Sequence, residues 1–288
     1  MADPTIQAAA AAGRTSAAAG AGQRDLQSWA AQEPELFPPR PFDATLFGTL
    51  SAANAFSAED LPAAKLTMLN RGALWGFAVD WQIDYVLKSA DEVDGVVGRC
   101  LAVADGAAPV DGLTRLLEHL RAQVASGTDD GASLDAWGEE LSRMLAGMRR
   151  EWGWRAAGHR PTLDEYLDNA DNLGSAFVNI GHWLVTTPDL ELSHLADVTS
   201  ALRAEQKVIR LLNDLGTVDR DVAWGDLNAL LLGVERPEVA ARVEALVRQT
   251  QDTLLPLVAS EPRLVAFLRR QIGFCSGFYG VTDYWGQL

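Results

Sequence analysis

Three oxygen-bearing side chains recur at every fourth position in the last third of the chain: Asn213, Thr217 and Asp221. In an α-helix, a step of four residues turns a side chain by only about 40° and advances it by about 6 Å. A helical segment would therefore present an amide, a hydroxyl and a carboxylate along one face. Such hard oxygen donors suit Mg²⁺ better than zinc or copper. Because Arg210 and Arg220 bracket the row, these residues predict a magnesium site that binds a phosphate or diphosphate.

A second pair of candidate ligands lies upstream, where Asp80 and Asp84 follow an apolar run and are four residues apart. This spacing places both on one helix face. Carboxylates in such a place are costly unless cations or hydrogen bonds compensate. Each row alone has an ordinary alternative: exposed aspartates for the first, and helix caps near a break at Gly216 for the second. Together the rows favour two helices that clamp several Mg²⁺ ions around one diphosphate.

Composition excludes several classes of protein. The 288 residues carry a formal charge of -15, which argues against binding to nucleic acid or to an anionic membrane. No apolar run reaches the ~18 residues of a membrane span. The two cysteines, Cys100 and Cys275, are too few for a disulfide framework and indicate buried thiols of a reduced protein. We therefore expect a cytoplasmic protein that holds a small anion through metal ions and arginines, and a homodimer is left open.

Periodicity predicts an all-α protein. From residue 56 onward apolar residues recur at spacings of three and four, and alternating strand patterns are essentially absent. Residues 1–33 are expected to form a disordered leader, because their alanines and glycines offer nothing that would hold a helix to a core. Residues 34–288 are expected to form one domain. Its predicted helices cover residues 58–90, 93–104, 109–125, 131–156, 162–185, 190–215 with an extension to about 222, 225–232, 236–258 and 261–277.

The two rows of oxygen donors resemble the metal motifs of class I terpene synthases. The first aspartate-rich motif of that family resembles the segment from Asp80 to Asp84, where Trp81 replaces the second aspartate of the usual run. The second motif resembles the row that starts at Asn213, although Asp221 stands where glutamate is usual. The resemblance covers most of the chain. It implies a helical bundle around a central apolar cavity and a cofactor of three Mg²⁺ ions.

Within that family the chain is most similar to labdane-related diterpene synthases of the kaurene synthase kind. Asp164–Asn169 and Gly225–Leu230 resemble their E-Y-L-E-N and G-K-L-N-A-V segments. The resemblance implies a lyase that ionises a C20 prenyl diphosphate, either copalyl-type and bicyclic or geranylgeranyl diphosphate, and cyclises or rearranges the cation. The alternatives are a sesquiterpene synthase that uses farnesyl diphosphate, a prenyl-chain-elongating transferase and a non-enzymatic helical interaction protein.

The resemblance also implies substrate-binding roles. In the family, basic residues at the positions of Arg210 and Arg220 contact the diphosphate. A carbocation must be kept from water and is stabilised by aromatic faces, so we expect an apolar and aromatic cavity wall. The candidate wall residues are Phe77, Trp81, Phe177, Val178, Asn179, Ile180 and Tyr284. The chain departs from the family in two further respects: no arginine occurs between Arg160 and Arg203, where many bacterial members sense the diphosphate, and none follows Arg270 to form the usual C-terminal arginine–tyrosine pair.

Overall fold

The computed structural model describes residues 3–127, 131–187 and 192–286. Within these ranges the chain forms eleven α-helices and no strand, which confirms the all-α prediction. The helices are α1 Pro4–Ala30, α2 Ala44–Ser57, α3 Thr67–Trp81, α4 Ala90–Ala104, α5 Gly112–Gly127, α6 Gly131–Ala157, α7 Leu163–Asp168, α8 Ser175–Thr186, α9 Leu192–Trp224, α10 Arg236–Leu254 and α11 Pro262–Phe278. The predicted start of a helix at residue 190 lies outside the described residues. None of the described helices is long and apolar enough to cross a membrane.

Helix α3 lies in the centre of the main hydrophobic core, where it contacts α1, α2, α5 and α8. Its side chains Leu74, Trp75 and Val79 are fully buried. The indole N–H of Trp75 donates to the backbone carbonyl of Leu113 on α5, at 2.9 Å. This burial on several sides fixes the direction of α3, so its last turn is held in a defined place.

Residues 4–30 form helix α1, where a disordered leader was expected for residues 1–33. The end of α1 carries two anchors, Leu26 and Trp29, that are buried in the main core. Arg71 of α3 donates two hydrogen bonds of 2.7 and 2.9 Å to Asp25. A disordered leader was predicted because alanines and glycines alone would not hold a helix to a core. The two buried anchors give the helix the tertiary packing that isolated helices lack.

The segment predicted as one helix over residues 58–90 is divided. Pro62 has no N–H to continue a helix ladder, and a short 3₁₀ turn, Ala63–Leu66, follows it. Helix α3 follows, and the chain then widens into one π-helical turn, Gln82–Val86. The N–H of Leu87 accordingly bonds the carbonyl of Gln82 at 2.9 Å. Such π turns often occur at functional sites, and this one contains the second aspartate of the first row.

The predicted helix over residues 225–232 is a series of turns in the structure. The side chain of Asn228 donates to the carbonyl oxygen of Asp214 at 2.9 Å, and the Asp214 carboxylate accepts the N–H of Ala229 at 3.0 Å. These bonds to α9 replace those of a helix. The segment therefore lies against α9 as a loop, which we call the post-α9 loop (residues 225–234).

Two glycines settle the course of the chain around α8 and α9. Gly174, at φ 73°, separates α8 from the preceding turns, and a β-carbon there would lie 2.5 Å from the sulfur of Met144. Gly216 does not break α9, which runs without interruption from residue 192 to 224. A β-carbon at Gly216 would lie 2.6 Å from the carbonyl oxygen of Tyr279, so glycine here permits close approach of the C-terminal segment.

Candidate active site

A cavity of about 230 Å³ opens between the end of α3 and the middle of α9. The first row and most of the second row line it together, although they are far apart in sequence. Its charged lining residues and two of their polar neighbours come from α3, the π turn, α6, α9 and the post-α9 loop. These residues are Asp80, Asp84, Tyr85, Glu151, Arg210, Asn213, Arg220, Asp221 and Asp226. The other side chains that line the cavity are mainly apolar or aromatic.

The two aspartates of the first row have different partners. Within the part of the chain that the structure describes, the Asp80 carboxylate has no hydrogen bond or ion pair. Burial, together with the negative charges of Asp226 and Glu151, raises the pKa of Asp80 to about 7. Asp84 accepts a hydrogen bond from Arg155. Its pKa is also raised, first by burial and then by the charge of Asp80.

The second row is held by hydrogen bonds along α9. The hydroxyl of Thr217 lies 2.6 Å from Oδ2 of Asp221 and 2.9 Å from the carbonyl oxygen of Asn213. Asp221 also accepts bonds from Arg220 at 2.9 Å and from Asn228 at 2.8 Å. Thr217 is buried behind the cavity surface, whereas the other two members of the row line the cavity.

Arg210 is fixed on the cavity wall by three side chains. It donates to Glu151 at 2.7 Å, to Asn172 at 3.0 Å and to the hydroxyl of Tyr166. Its guanidinium also lies 4.3 Å from the centre of the Tyr166 ring. Although burial opposes the charged form, these neighbours, Glu151 foremost, raise its pKa further above the ordinary value. Arg210 therefore presents a permanent positive charge at a fixed position.

Arg220 connects α9 to the C-terminal segment. It contacts Asp221 at 2.9 Å and Asp283 at 3.1 Å, and its guanidinium lies 5.3 Å from the Trp224 ring. Its side chain is only 15% exposed. Two carboxylates thus share one guanidinium at the cavity edge.

Four of the seven wall candidates line the cavity: Phe77, Val178, Asn179 and Tyr284. The rings of Phe77 and Tyr284 meet edge to face with their centres 5.5 Å apart. The amide of Asn179 donates to Gln271 of α11 at 2.8 Å. The C-terminal segment therefore closes one side of the cavity with aromatic rings.

The other three wall candidates lie elsewhere. Phe177 packs in the core between Trp75 and Trp137, with ring centres 5.5 and 5.1 Å away, and Ile180 is buried on the same helix face. Residues three apart share a face, so both turn towards the core rather than the cavity. Trp81 does not line the cavity and instead packs on neighbouring aromatic rings.

The matched family decides the identity of the chain. A family model described as terpene synthase family 2, C-terminal metal binding, matches residues 73–249. The chain belongs to this family. The match spans both rows of oxygen donors, and it confirms the prediction of a class I terpene synthase. The protein is therefore an enzyme, and the interpretation as a non-enzymatic helical interaction protein is excluded.

Known relatives of this terpene synthase match nearly its full length. It is 26% identical over 272 residues to ent-pimara-9(11),15-diene synthase of Streptomyces sp. (strain KO-3988), which covers 91% of each chain. The solved structure of 2-methylisoborneol synthase from Streptomyces coelicolor A3(2) has a TM-score of 0.74 at 17% identity and covers 99% of this chain and 94% of that one. Linalool/nerolidol synthase from Streptomyces clavuligerus gives 0.70 at 16% identity, with 92% and 97% covered. These two structures share the fold.

Several residues of the terpene synthase site were missed by sequence reasoning. Glu151, Arg155 and Asn228 contact Arg210, Asp84 and Asp221, respectively. Asp226 contacts Arg155 and Tyr85 beside them. A signal existed for one pair, because Glu151 and Arg155 are four apart near the end of a helix and share a face. The other contacts join different elements of the fold, and the sequence offers no spacing that would reveal them.

Proposed function

We propose that this terpene synthase is a diterpene synthase that ionises a C20 prenyl diphosphate with Mg²⁺ and cyclises or rearranges the resulting carbocation. The observation that carries this proposal is the similarity to ent-pimara-9(11),15-diene synthase, whose named product has a C20 skeleton, over 91% of both chains. The substrate would be a copalyl-type bicyclic diphosphate or geranylgeranyl diphosphate.

The residues of the two rows fit Mg²⁺ as a cofactor. Carboxylate, amide and hydroxyl oxygens are its preferred protein ligands, and the proposed set is Asp80, Asp84, Asn213, Thr217 and Asp221. The unpartnered Asp80, with a pKa near 7 among other carboxylates, is a place where a cation would relieve repulsion. A solved structure of 2-methylisoborneol synthase contains Mg²⁺ and 2-fluoroneryl diphosphate, which supports this assignment, and we propose three ions. When bound, the ions would act as Lewis acids on the diphosphate oxygens.

Arg210 and Arg220 would bind the same diphosphate from the side of α9. A guanidinium cannot lose its proton in a protein and offers several donors in a fixed plane. Glu151 and Tyr166 already hold Arg210 in position, so binding would cost it little side-chain entropy. Arg220 would exchange its contact with Asp283 for the diphosphate.

The remaining wall would protect the carbocation from water. Phe77, Val178 and Tyr284 line the cavity beside Trp285 of the C-terminal segment. Aromatic faces stabilise a cation by about 0.5–2 kcal/mol each, and more as water is excluded. This wall would therefore both shield and stabilise the cation.

One observation favours a second candidate, a sesquiterpene synthase that uses farnesyl diphosphate. The cavity volume of about 230 Å³ lies below the roughly 300–1,000 Å³ of typical small-molecule sites. A C15 chain would need less rearrangement of the C-terminal aromatic residues than a C20 skeleton. A substrate assay separates the two candidates.

The test is incubation of the purified protein and Mg²⁺ with each of the linear C10, C15 and C20 diphosphates and with the copalyl diphosphate isomers. We expect hydrocarbon or alcohol products from a C20 substrate, detected by gas chromatography with mass spectrometry. The Asp80→Asn variant should lose these products, and a matched Asp91→Asn change on the exposed start of α4 should keep them. Turnover of the C15 substrate alone would overturn the diterpene proposal.

A further inference from the structure

Arg155 forms ion pairs with two aspartates that lie in different parts of the site. It lies near the end of α6, between Asp84 in the π turn and Asp226 in the post-α9 loop. One terminal nitrogen contacts Oδ1 of Asp84, and the other lies 2.7 Å from Oδ1 of Asp226. The side chain of Arg155 is 16% exposed. The two ion pairs are therefore shielded from solvent and stronger than surface pairs.

The charges around this guanidinium are unbalanced. The carboxylates of Asp80, Asp84 and Asp226 line the same cavity, and the guanidinium of Arg155 pairs with two of them. Arg210, the next arginine, is already engaged by Glu151 at 2.7 Å. Of the described arginines, Arg155 alone makes an ion pair with the first row. It thus supplies the positive charge that is paired with Asp84 in this structure.

The two bonded aspartates are held differently. Both oxygens of Asp226 are engaged, one by Arg155 and the other by the hydroxyl of Tyr85. Only Oδ1 of Asp84 is held by Arg155. If the guanidinium of Arg155 moved away from Asp84, it would therefore stay anchored to Asp226, and the carboxylate of Asp84 would become free.

We propose that Arg155 is a positioning residue that serves as an internal counter-cation of the first row and competes with the divalent metal for Asp84. The inference rests on the proposed function, since it assumes that this row binds metal. In the metal-free enzyme Arg155 keeps Asp84 in place and limits repulsion from Asp80. Metal loading displaces the guanidinium from Asp84, and the fixed positive charge nearby weakens binding of the metal alone.

The test uses the full-length protein with Mn²⁺ alone as the probe, and free Mn²⁺ is measured by electron paramagnetic resonance. Arg155→Gln removes the charge and keeps an amide donor. We expect it to tighten Mn²⁺ binding on the order of tenfold and to lower the Tm of the metal-free protein. Arg155→Lys keeps the charge and should bind Mn²⁺ as the native protein does. A purely structural role would instead weaken metal binding in both variants.

Arg149→Gln is the matched control, because Arg149 lies on the same helix and pairs with Asp94 at an exposed site. Its Mn²⁺ affinity should equal that of the native protein. The proposal is overturned if Arg155→Gln binds Mn²⁺ equally or more weakly, or if Arg149→Gln shows the same gain. If Arg155→Gln fails to fold, the Asp226→Asn variant provides the test. Without the charge of Asp226, the guanidinium of Arg155 pairs with Asp84 alone, so Mn²⁺ binding must weaken. Unchanged Mn²⁺ binding overturns the proposal.

These measurements distinguish failure of the competition proposal from failure of the proposed function. If neither the native protein nor Arg155→Gln binds Mn²⁺ alone, while the native enzyme still turns over a prenyl diphosphate with Mg²⁺, the competition proposal fails and the synthase proposal stands. If Arg155→Gln tightens Mn²⁺ binding but no prenyl diphosphate is turned over, the metal row stands and the substrate assignment fails.

Discussion

Asp80 is half-buried on the cavity wall and Asp214 is buried, and desolvation raises the pKa of each to about 7. Their surroundings differ. Asp214 accepts hydrogen bonds from the hydroxyl of Tyr166 at 2.9 Å and from the N–H of Ala229 at 3.0 Å. Asp80 has neither a hydrogen bond nor an ion pair to any residue in the described ranges. Asp214 therefore stabilises the fold, whereas the carboxylate of Asp80 is available to a ligand.

This difference predicts opposite effects of two substitutions. Asp80→Asn removes an unpartnered charge near other carboxylates, so the Tm of the metal-free protein should rise. The same change should lower kcat/KM by at least about 100-fold, since loss of even an indirect metal partner costs 10–100-fold. Asp214→Ala leaves its donors unsatisfied and should lower the free energy of unfolding by roughly 1–3 kcal/mol. Thermal unfolding and steady-state kinetics measure both, and a destabilised but fully active Asp80→Asn enzyme would contradict this interpretation.

At the scale of elements, α9 has two tasks. It carries the second row of oxygen donors, and it supports the C-terminal segment that closes the cavity. Gly216 lies under the carbonyl oxygen of Tyr279, and Arg220 pairs with Asp283 at 3.1 Å. These contacts bring Tyr284 to the cavity wall. The position of the aromatic wall therefore depends on α9 and on the segment after α11.

Gly216→Ala should displace that segment. The new β-carbon would lie 2.6 Å from the carbonyl oxygen of Tyr279, a backbone atom that cannot turn away like a side chain. We expect a loss of roughly 1–3 kcal/mol in the free energy of unfolding, as for other overpacked sites. We also expect a higher KM for the prenyl diphosphate.

Gly138→Ala is the control for the helix propensity of alanine. It lies inside α6, and a β-carbon there would meet no atom within 4 Å. This change should stabilise the protein by up to about 1 kcal/mol. Urea unfolding compares the Gly216→Ala and Gly138→Ala variants. Equal stabilisation by both would show that the C-terminal segment does not pack closely against α9 at Gly216.

The spacing of residues predicted the parts of the site that lie within single helices. The row from Asn213 to Asp221 lies within α9 and follows the helical repeat, so its shared face could be read directly. The same spacing singled out Asp80 and Asp84, although the structure places Asp84 in the π turn that follows α3. The sequence could not reveal Arg155, because its partners lie on two distant elements. Nor could it show that the apolar segment after Gly225 is a loop, since the hydrogen bonds that hold that loop come from α9.

The cavity-wall residues and helix α1 were harder to predict from the sequence, because their placement also depends on contacts between distant elements. Three of the seven wall candidates do not line the cavity, because an apolar helix such as α8 has more than one buried face. Only the packing of Phe177 between two tryptophans identifies which face meets the core. Helix α1 is held by contacts of Leu26, Trp29 and Asp25 with the rest of the molecule, which local composition does not show.

At the scale of the whole molecule, a chain with a formal charge of -15 also contains a carboxyl group that is neutral at pH 7. Glu205 of α9 is fully buried, and burial raises its pKa to about 8. Its only hydrogen bond among the described residues comes from the hydroxyl of Ser175, at 3.2 Å. The folded protein thus holds a proton that the unfolded chain releases above about pH 4.5.

The stability contributed by this proton is fully present below about pH 4.5 and is lost as the pH rises to about 8. Over this window one bound proton changes the free energy of unfolding by at most about 1.4 kcal/mol per pH unit. Glu205→Gln should therefore gain stability relative to the native protein as the pH rises from 5 to 8. Glu244→Gln, at an exposed position of α10, should show no such trend. Denaturation at several pH values measures both, and parallel curves for all three proteins would contradict the assignment.

The proposed diphosphate clamp between α3 and α9 is tested most directly by calorimetric titration of inorganic diphosphate into the metal-free and the Mg²⁺-loaded protein. We expect diphosphate to bind the native protein only with Mg²⁺, and to bind neither form of the Asp80→Ala, Asn213→Ala double variant, which removes one proposed ligand from each row. An Asp91→Ala variant, changed at an exposed site, should bind as the native protein does. Equal binding of Mg²⁺ and diphosphate by the double variant and the native protein would show that the two rows do not form the site.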